Sequence, residues 1–475
     1  MWYEQLNNTR LWKIFNDISA IPRESHNEEG IRQYLLAWAK EHNIEVIVDR
    51  IGNVIMKCPA TKGYENYPSI ALQGHMDMVC VKTEDSKHDF TKDPIEVVTD
   101  GTFVRAKDTS LGADNGIAIA LALDIFSDEK AEHGPLEGIF TVAEETGLTG
   151  AFGIDPENIQ SRRLLNLDSE EEGIFYIGCA GGIDIVSKKH AYWKDAEGEA
   201  VLVKVNGLLG GHSGGEIHKE RANALKTMGR FLNRLPAYEI ASISGGSRRN
   251  VIPSVCEALI TVRDAEIAET TAKNLLEELK EEYKYSDPDI NITVVRKPLP
   301  AKTLTPNVSE SIGNTLFTSP TGVRSWSMAL KGVVETSDNM AIISLDEKEA
   351  SIIYSIRSSV ESAKLNLAYE IAAILEGNGF LVKIGDGYPA WSPDPDSAFT
   401  KEVAEAYEKI VGKAPVITAI HAGLECGIIN KAIPGMDSLS LGPNLFDVHS
   451  VNEHVEAASA ERTASFVKEM LKDIK

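Results

Sequence analysis

Short apolar runs that each stop at an imidazole or a carboxylate are what most restricts how this 475-residue chain can fold. The stretch "SIALQGHMDMVC" carries Ile70 to Leu72 and then, past Gly74, His75 and Asp77. "FTVAEETG" ends on Glu144 and Glu145, and "LLNLDSE" ends on Asp168. Runs this short and apolar suit strands covered on both faces, as in a sheet sandwiched between helices. In such an α/β sheet the C-terminal strand ends share one rim, and ligands and chemistry collect there.

Taken singly, each of these residues has an ordinary reading. His75 and Asp77 could be a local hydrogen-bonded pair, Asp114 of "SLGADNGIA" a helix N-cap, Glu144 and Glu145 a solvated pair, and Asp168 a turn residue. Together they would converge on one rim, where neighbouring carboxylates repel unless positive charge sits among them. A pair of divalent metal ions supplies that charge. With His449 of "FDVHSVNEHV", the donors are two imidazoles and several carboxylates without sulfur, which suits zinc, cobalt or manganese better than magnesium or calcium. The five cysteines are scattered and form no Cys-x-x-Cys, so a thiolate site is not expected and reduced thiols are.

A formal charge of −23 disfavours nucleic acid and anionic membrane surfaces as partners. No apolar run approaches the ~20 residues of a membrane span. The N-terminal "MWYEQLNNTRLWKIF" lacks the pattern of a secretory signal, so a cytoplasmic location is expected. The length exceeds one ordinary core. Helix and strand patterns alternate up to "GCAGGIDI"; "AVLVKVNGLLGG" then alternates apolar and polar residues, as a half-covered strand does. The expected domains are a discontinuous catalytic one, 1–183 with 385–475, and an insert, 184–384. Within the insert "NVIPSVCEALITVR" and "NMAIISLDEKEASIIYSIR" look like two copies of one unit, pairing Asn250 with Asn339 and Arg263 with Arg357.

The motifs "GHMDMV", "LGADNGIA", "EETGLTGA", "NLDSEEEG", "GLLGGHSGGEIH", "HAGLECG" and "HSVNEHV" run almost end to end, and through them the chain resembles the M20 metallopeptidases, in particular the aminoacyl-histidine (Xaa-His, β-alanyl-histidine) dipeptidases of the PepD type. The resemblance implies a phosphorylase/hydrolase-like α/β catalytic domain with a central, mostly parallel sheet, and an inserted α/β lid of two similar sandwich-like units. It implies that His75, Asp114 and Asp168 hold one metal and that Asp114, Glu145 and His449 hold the other. Asp77 would orient His75, and Glu144 would be the general base. His212 would steady the oxyanion with help from Asn250, while Arg357 would clamp the substrate's C-terminal carboxylate. For Arg357 a strand-end surface charge is the competing reading. The implied substrates are small dipeptides, the implied cofactors two divalent ions, zinc first with cobalt or manganese as alternatives, and a homodimer is left open.

Two departures from the family pattern stand out: Val451 and Asn452 where relatives read Pro-Asp, and Ala390 where glycine is usual. A different M20 hydrolase, a broad dipeptidase or an aminoacylase, would share the same chemistry. "GHSGG" also satisfies the G-x-S-x-G pattern of a serine-hydrolase elbow with Ser213 as nucleophile, but the strand before it alternates, whereas an elbow needs a fully buried one. A catalytically silent relative would lack a ligand or the base, and every such position is filled.

Overall fold

A computed structural model describes residues 1–474. The chain divides into two compact units, one made of Met1–Gly178, Pro393–Ala419 and the chain from Leu424 on, the other of Cys179–Ser392 with Ile420–Gly423. No helix among the described residues is long and apolar enough to cross a membrane.

The first unit is built on an eight-stranded sheet. Its early strands are β1 (Glu45–Val48), β2 (Val54–Cys58), β3 (Ile70–His75), β4 (Leu136–Thr141), β5 (Arg163–Asn166) and β6 (Ile174–Cys179). The order is β1-β2-β4-β3-β5, then Asp437–Ser440, β6 and Val416–Ile420. The parallel run is the middle of the sheet, β4, β3, β5 and Asp437–Ser440. The hairpin strands β1 and β2 add to it antiparallel, as a short connection requires. In register, His75 stands beside Thr141, and Gln73 beside both Ile139 and Asn166. The chain past β3, β4 and β5 therefore reaches one rim with Asp77, Glu144, Glu145 and Asp168.

Helix α1 (Ala113–Phe126) is buried at every position but Asp114. Its sequence "IAIALALDIF" is apolar almost all round, as a helix enclosed by its neighbours must be. It packs between β3 and the helix Thr9–Ser19. Gly74 permits this approach: a Cβ there would run into the Asn115 side-chain oxygen and lie 2.7 Å from the Ala118 Cβ.

The second unit is built on a nine-stranded sheet, two four-stranded halves of the same topology plus Gly322–Trp326, which pairs with Val334–Leu345. One half runs β7 (Gly181–His190), α4 (Pro306–Thr318), β12 (Val334–Leu345), β13 (Glu349–Ser358), α5 (Glu361–Gly377) and β14 (Leu381–Ile384). The other, inserted after β7, runs β8 (Glu199–Asn206), α2 (Ala224–Leu232), β9 (Glu239–Gly245), β10 (Cys256–Val262), α3 (Ala265–Glu282) and β11 (Asn291–Lys297). In each half the strands lie in the order second, third, first, fourth. The halves join edge to edge, β9 against β12, at Ser244↔Ser344 and Gly245↔Ile343, over one continuous apolar core. The two sandwich-like units are thus fused into one sheet. Arg357 lies near the end of β13 and Arg263 directly follows the matching third strand β10, but Asn250 lies in the connection before β10 whereas Asn339 lies inside β12. That difference accounts for the unequal spacing within the two sequence copies.

Gly74→Ala is expected to destabilise the protein by about 1–3 kcal/mol, as for a methyl group forced into a packed interior. A denaturant midpoint equal to the parent's would show that α1 can move aside.

Candidate metal centre

His75 closes β3 with its imidazole held from both edges. Nδ1 lies 3.1 Å from the Asp77 carbonyl oxygen and 3.3 Å from Asp77 Oδ1. With Nδ1 donating there, Nε2 faces Asp114 Oδ1 at 3.0 Å and Asp168 Oδ1 at 3.6 Å. Asp77 does more than aim the ring. Its Oδ1 accepts from the Glu144 N–H (3.0 Å), and its Oδ2 accepts from the Glu145 N–H (3.2 Å) and Ser25 Oγ (2.7 Å). Burial opposes its charge, yet the bonds from His75, Ser25 and the Glu144 N–H prevail and bring it down to about 2. Buried Glu28 takes the preceding N–H, that of Ala143, at 2.9 Å. Ala143 is in the left-handed region (φ 48°), turning the chain as it leaves β4.

Asp114 is held from behind. Glu453, 3% exposed, accepts from the N–H groups of Leu111 (2.9 Å), Gly112 (3.0 Å) and Asp114 (3.2 Å). Arg23, also buried, donates to the carbonyls of Met76 (3.1 Å), Asp77 (2.9 Å) and Gly112. Asn115 accepts from the His75 N–H (3.2 Å) and donates to the Leu167 carbonyl (3.1 Å), joining the ends of β3 and β5. The Asp114–Asn115 peptide is cis. On the open side His449 Nε2 lies 3.0 Å from Asp114 Oδ2 and 3.0 Å from Glu145 Oε1. Asp114 therefore faces one imidazole through each of its oxygens.

Two donor sets result, His75–Asp114–Asp168 and Asp114–Glu145–His449, with the donor atoms of each within 4.8 Å of one another. His75–Glu144–Glu145 meets the same condition. The electrostatics agree with a cation site. Burial lowers His75, but the Asp168 charge and the bonds to Asp114 and Asp77 raise it well above the ordinary histidine range. Bonds to Asp114 and Glu145, against burial, lift His449 to about 11. Burial, then Glu425, Glu145 and Asp114 against the pull of His75, lift Glu144 to about 8. A pocket that retains protons on imidazoles and carboxyls alike is short of positive charge, and its mixed nitrogen and oxygen donors fit divalent transition metals.

The second unit gathers the remaining expected residues. His212 Nδ1 accepts from the N–H groups of Gly214 (3.2 Å) and Gly215 (2.9 Å). That assigns the proton of the neutral ring to Nε2, leaving it free to donate. A Cβ on Gly214 would lie 3.0 Å from His212 Cε1 and 3.3 Å from Arg357 Cζ, so the two side chains share this corner. Arg357 donates to Tyr388 Oη (2.9 Å); among the described residues it pairs with no carboxylate, and its Nε is buried without a partner. His421 Nε2 meets Ser337 Oγ at 2.7 Å, while its buried Nδ1 has no partner. The Asn250 side chain is exposed, its backbone oxygen accepting from the Ser213 N–H (2.9 Å). Ser213 follows a two-residue strand, is buried and precedes only a 3₁₀ turn, Ile217–Lys219, so it forms no nucleophile elbow.

The model of peptidase family M20/M25/M40 matches residues 71–473. This chain belongs to that family. Along 99% of its length it is 38% identical to the cytosol non-specific dipeptidase of Escherichia coli (strain K12), covering 98% of that protein. A crystal structure of aminoacylhistidine dipeptidase from Vibrio alginolyticus superposes with a TM-score of 0.93 at 36% identity, over 100% of this chain and 98% of that one. Aminopeptidase PepT from Bacillus cereus ATCC 10987, with a TM-score of 0.59, 15% identity and 99% of both chains covered, shares the fold.

The departures from the M20 pattern leave the donors in place. The turn carrying His449 (φ 60°) is braced by Ser450, whose Oγ donates to the Asp447 carbonyl (2.6 Å) and accepts from the Asn452 N–H (3.0 Å). Ala390 has no positive φ, so nothing there calls for glycine. His454 stacks on Phe446 and bonds the Asn452 carbonyl, apart from the donor sets. Sequence reasoning did not assign Arg23, Glu28, Asn115 or Glu453. Glu453 sits within "HSVNEHV", where four residues from His449 to an acid could have suggested a brace; Arg23 in "IPRESHN" gives no such signal.

Glu453→Ala would leave three N–H donors under Asp114 unpaired, at about 1–3 kcal/mol for each one that stays buried. A stability loss of at least about 2 kcal/mol is expected, with weaker divalent-ion binding by titration calorimetry. Parent-like values for both would remove Glu453 from the support of Asp114.

Proposed function

We propose that this M20 enzyme hydrolyses dipeptides with a C-terminal histidine, β-alanyl-histidine among them, using two zinc ions. The observation that carries the two-metal part of this reading is the shared carboxylate, Asp114 turning one oxygen to His75 and the other to His449, and the likeness to an aminoacylhistidine dipeptidase supports the substrate. His75, Asp114 and Asp168 would hold one ion, and Asp114, Glu145 and His449 the other. When bound, such ions polarise a scissile carbonyl and acidify water.

The chain's own groups would do the rest. Glu144 takes the proton of the attacking water and returns it to the leaving amine. Burial and the neighbouring acids lift Glu144 to about 8, and any added cation draws that value back towards neutrality, where a base exchanges protons readily. His212 presents its Nε2 proton to the oxyanion, and burial followed by the Arg357 charge lowers its pKa, keeping the ring neutral. Asn250 assists. Arg357, with a guanidinium that no carboxylate among the described residues neutralises, takes the C-terminal carboxylate of a substrate one residue beyond the scissile bond.

The relatives' names also support a broader dipeptidase reading, one being a non-specific dipeptidase and the other an aminoacylhistidine dipeptidase. Metal-reconstituted protein assayed on β-Ala-His, other Xaa-His dipeptides, dipeptides without histidine, a tripeptide and an N-acetyl amino acid separates them. Equal kcat/KM for all dipeptides would favour the broad reading, and preference for the N-acetyl compound would make the enzyme an aminoacylase.

Glu144→Gln is expected to lower kcat by about 10²–10⁴-fold while both ions stay bound. Loss of an ion from that variant would put Glu144 among the ligands instead. For Arg357, kcat/KM is compared on Xaa-His and its C-terminal amide in parent and Arg357→Ala enzymes. The variant should slow the acid far more than the amide, with about 2–5 kcal/mol of coupling for a desolvated charge pair. Equal slowing of both would make Arg357 structural.

A further inference from the structure

His212 and Asn250 are carried on a very short ribbon, Gly211–His212 paired with Val251–Ile252. Two residue pairs, Gly211↔Ile252 and His212↔Val251, form the whole ladder. A ladder this short does not hold an exposed loop in one place by itself. Something else must, and the structure contains one buried side chain in contact with both sides of Asn250.

Asn339 lies within β12 and is 1% exposed. Its Nδ2 donates to the Val251 carbonyl at 2.8 Å and the Arg249 carbonyl at 3.3 Å, the carbonyls of the two residues that flank Asn250. Its amide cannot turn over without loss, because its Oδ1 accepts from Asn223 Nδ2 (3.3 Å). Asn223 is fixed in turn. Its Oδ1 caps α2 by accepting from the N–H groups of Leu225 (2.9 Å) and Lys226 (3.2 Å), and its Nδ2 also donates to the Met340 carbonyl (2.9 Å). A line of oriented amides thus runs from the start of α2 through Asn339 to the Asn250 turn. From that turn it continues across the ribbon, where the Asn250 carbonyl accepts from the Ser213 N–H, to His212. The sequence singles out Asn339 as a partner copy of Asn250; the topology instead places it beneath Asn250.

We propose that Asn339 is a positioning residue for the His212–Asn250 pair, setting where His212 Nε2 and the Asn250 side chain stand when substrate is bound. This rests on the reading of His212 and Asn250 as oxyanion-side groups. A donor displaced by about 1 Å can lower turnover by ~10²-fold, so a group that touches no substrate can still affect kcat. Asn339→Asp keeps the volume and the acceptor for Asn223 but turns a carboxylate oxygen towards two carbonyls. Asn339→Ala removes the bonds altogether.

The test is a cycle on the metal-loaded enzyme: parent, Asn339→Ala, Asn339→Asp, His212→Ala, and each Asn339 variant combined with His212→Ala. Dipeptide turnover and amide hydrogen exchange are both measured. The expected result is a fall in kcat of about 10- to 100-fold for either Asn339 variant. KM should change by less than about threefold, because Arg357 is untouched. Both variants should lower kcat much less once His212 is alanine, the remainder acting through Asn250, and exchange at residues 211–215 and 249–252 should quicken while that at α1 does not. Equal losses with and without His212, parent-like kcat and exchange, or failure of both variants to fold would each overturn the assignment. If His212→Ala alone is as active as the parent, the reading of His212 fails, and the exchange data still decide whether Asn339 holds the ribbon.

Discussion

Mutual repulsion among carboxylates brought to one rim is the constraint around which the first unit is organised. Asp114 and Glu145 help to raise the pKa of Glu144, Asp114 and Glu144 help to raise that of Asp168, and His75 and His449 stand among these acids. Left to itself such a cluster would spread apart or stay protonated. The main chain that carries Asp114, Glu144 and Glu145 is therefore pinned by other buried groups. The N–H groups of residues 143–145 are tied to Glu28 and Asp77, and the loop before α1 is tied to Glu453 and Arg23. The main chain is fixed so that the side chains keep a separation they would not choose.

This explains why so much support is charged and buried. Replacing Asp77 or Glu453 by a neutral acceptor would preserve some bonds but weaken those to backbone N–H groups, since a charged acceptor binds them more strongly. Arg23 sits beneath the same loops and donates only to carbonyls, and its charge lies against Glu453 and Asp77. The second unit has a different problem. The side chains proposed to act there, those of His212 and Arg357, are held by neutral partners, glycine N–H groups and a tyrosine hydroxyl, while the His212 backbone N–H goes to the Glu216 carboxylate.

The sequence revealed the donor residues more readily than their supports. His75, Asp114, Glu145, Asp168 and His449 could be read because each follows an apolar run or sits in a motif, and both patterns survive in one dimension. The division of the insert into two similar stretches was legible for the same reason, through matching strands that end in Arg263 and Arg357. Glu28, Arg23 and Asn339 could not be read that way. Each acts on a backbone group far off in the chain, and a residue that satisfies a distant carbonyl or N–H leaves no local period or spacing. The pairing of Asn250 with Asn339 failed on the same ground, because similarity of flanking sequence says nothing about which strand a residue occupies.

The different duties proposed for the adjacent glutamates follow from the same geometry. Glu144 and Glu145 give their N–H groups to the two oxygens of one Asp77 carboxylate, which fixes both Cα positions at once. From there Glu145 reaches His449 at 3.0 Å, whereas Glu144 makes no hydrogen bond to another side chain among the described residues. A ligand has to be held and a base has to be free to exchange its proton, so the unbonded member of the pair is the one suited to proton transfer. Exchanging the two roles would require the turn at Ala143 to rotate, and that turn is closed by Glu28 on one side and Asp77 on the other. The backbone thus already sets apart the two side chains to which the proposal gives different roles.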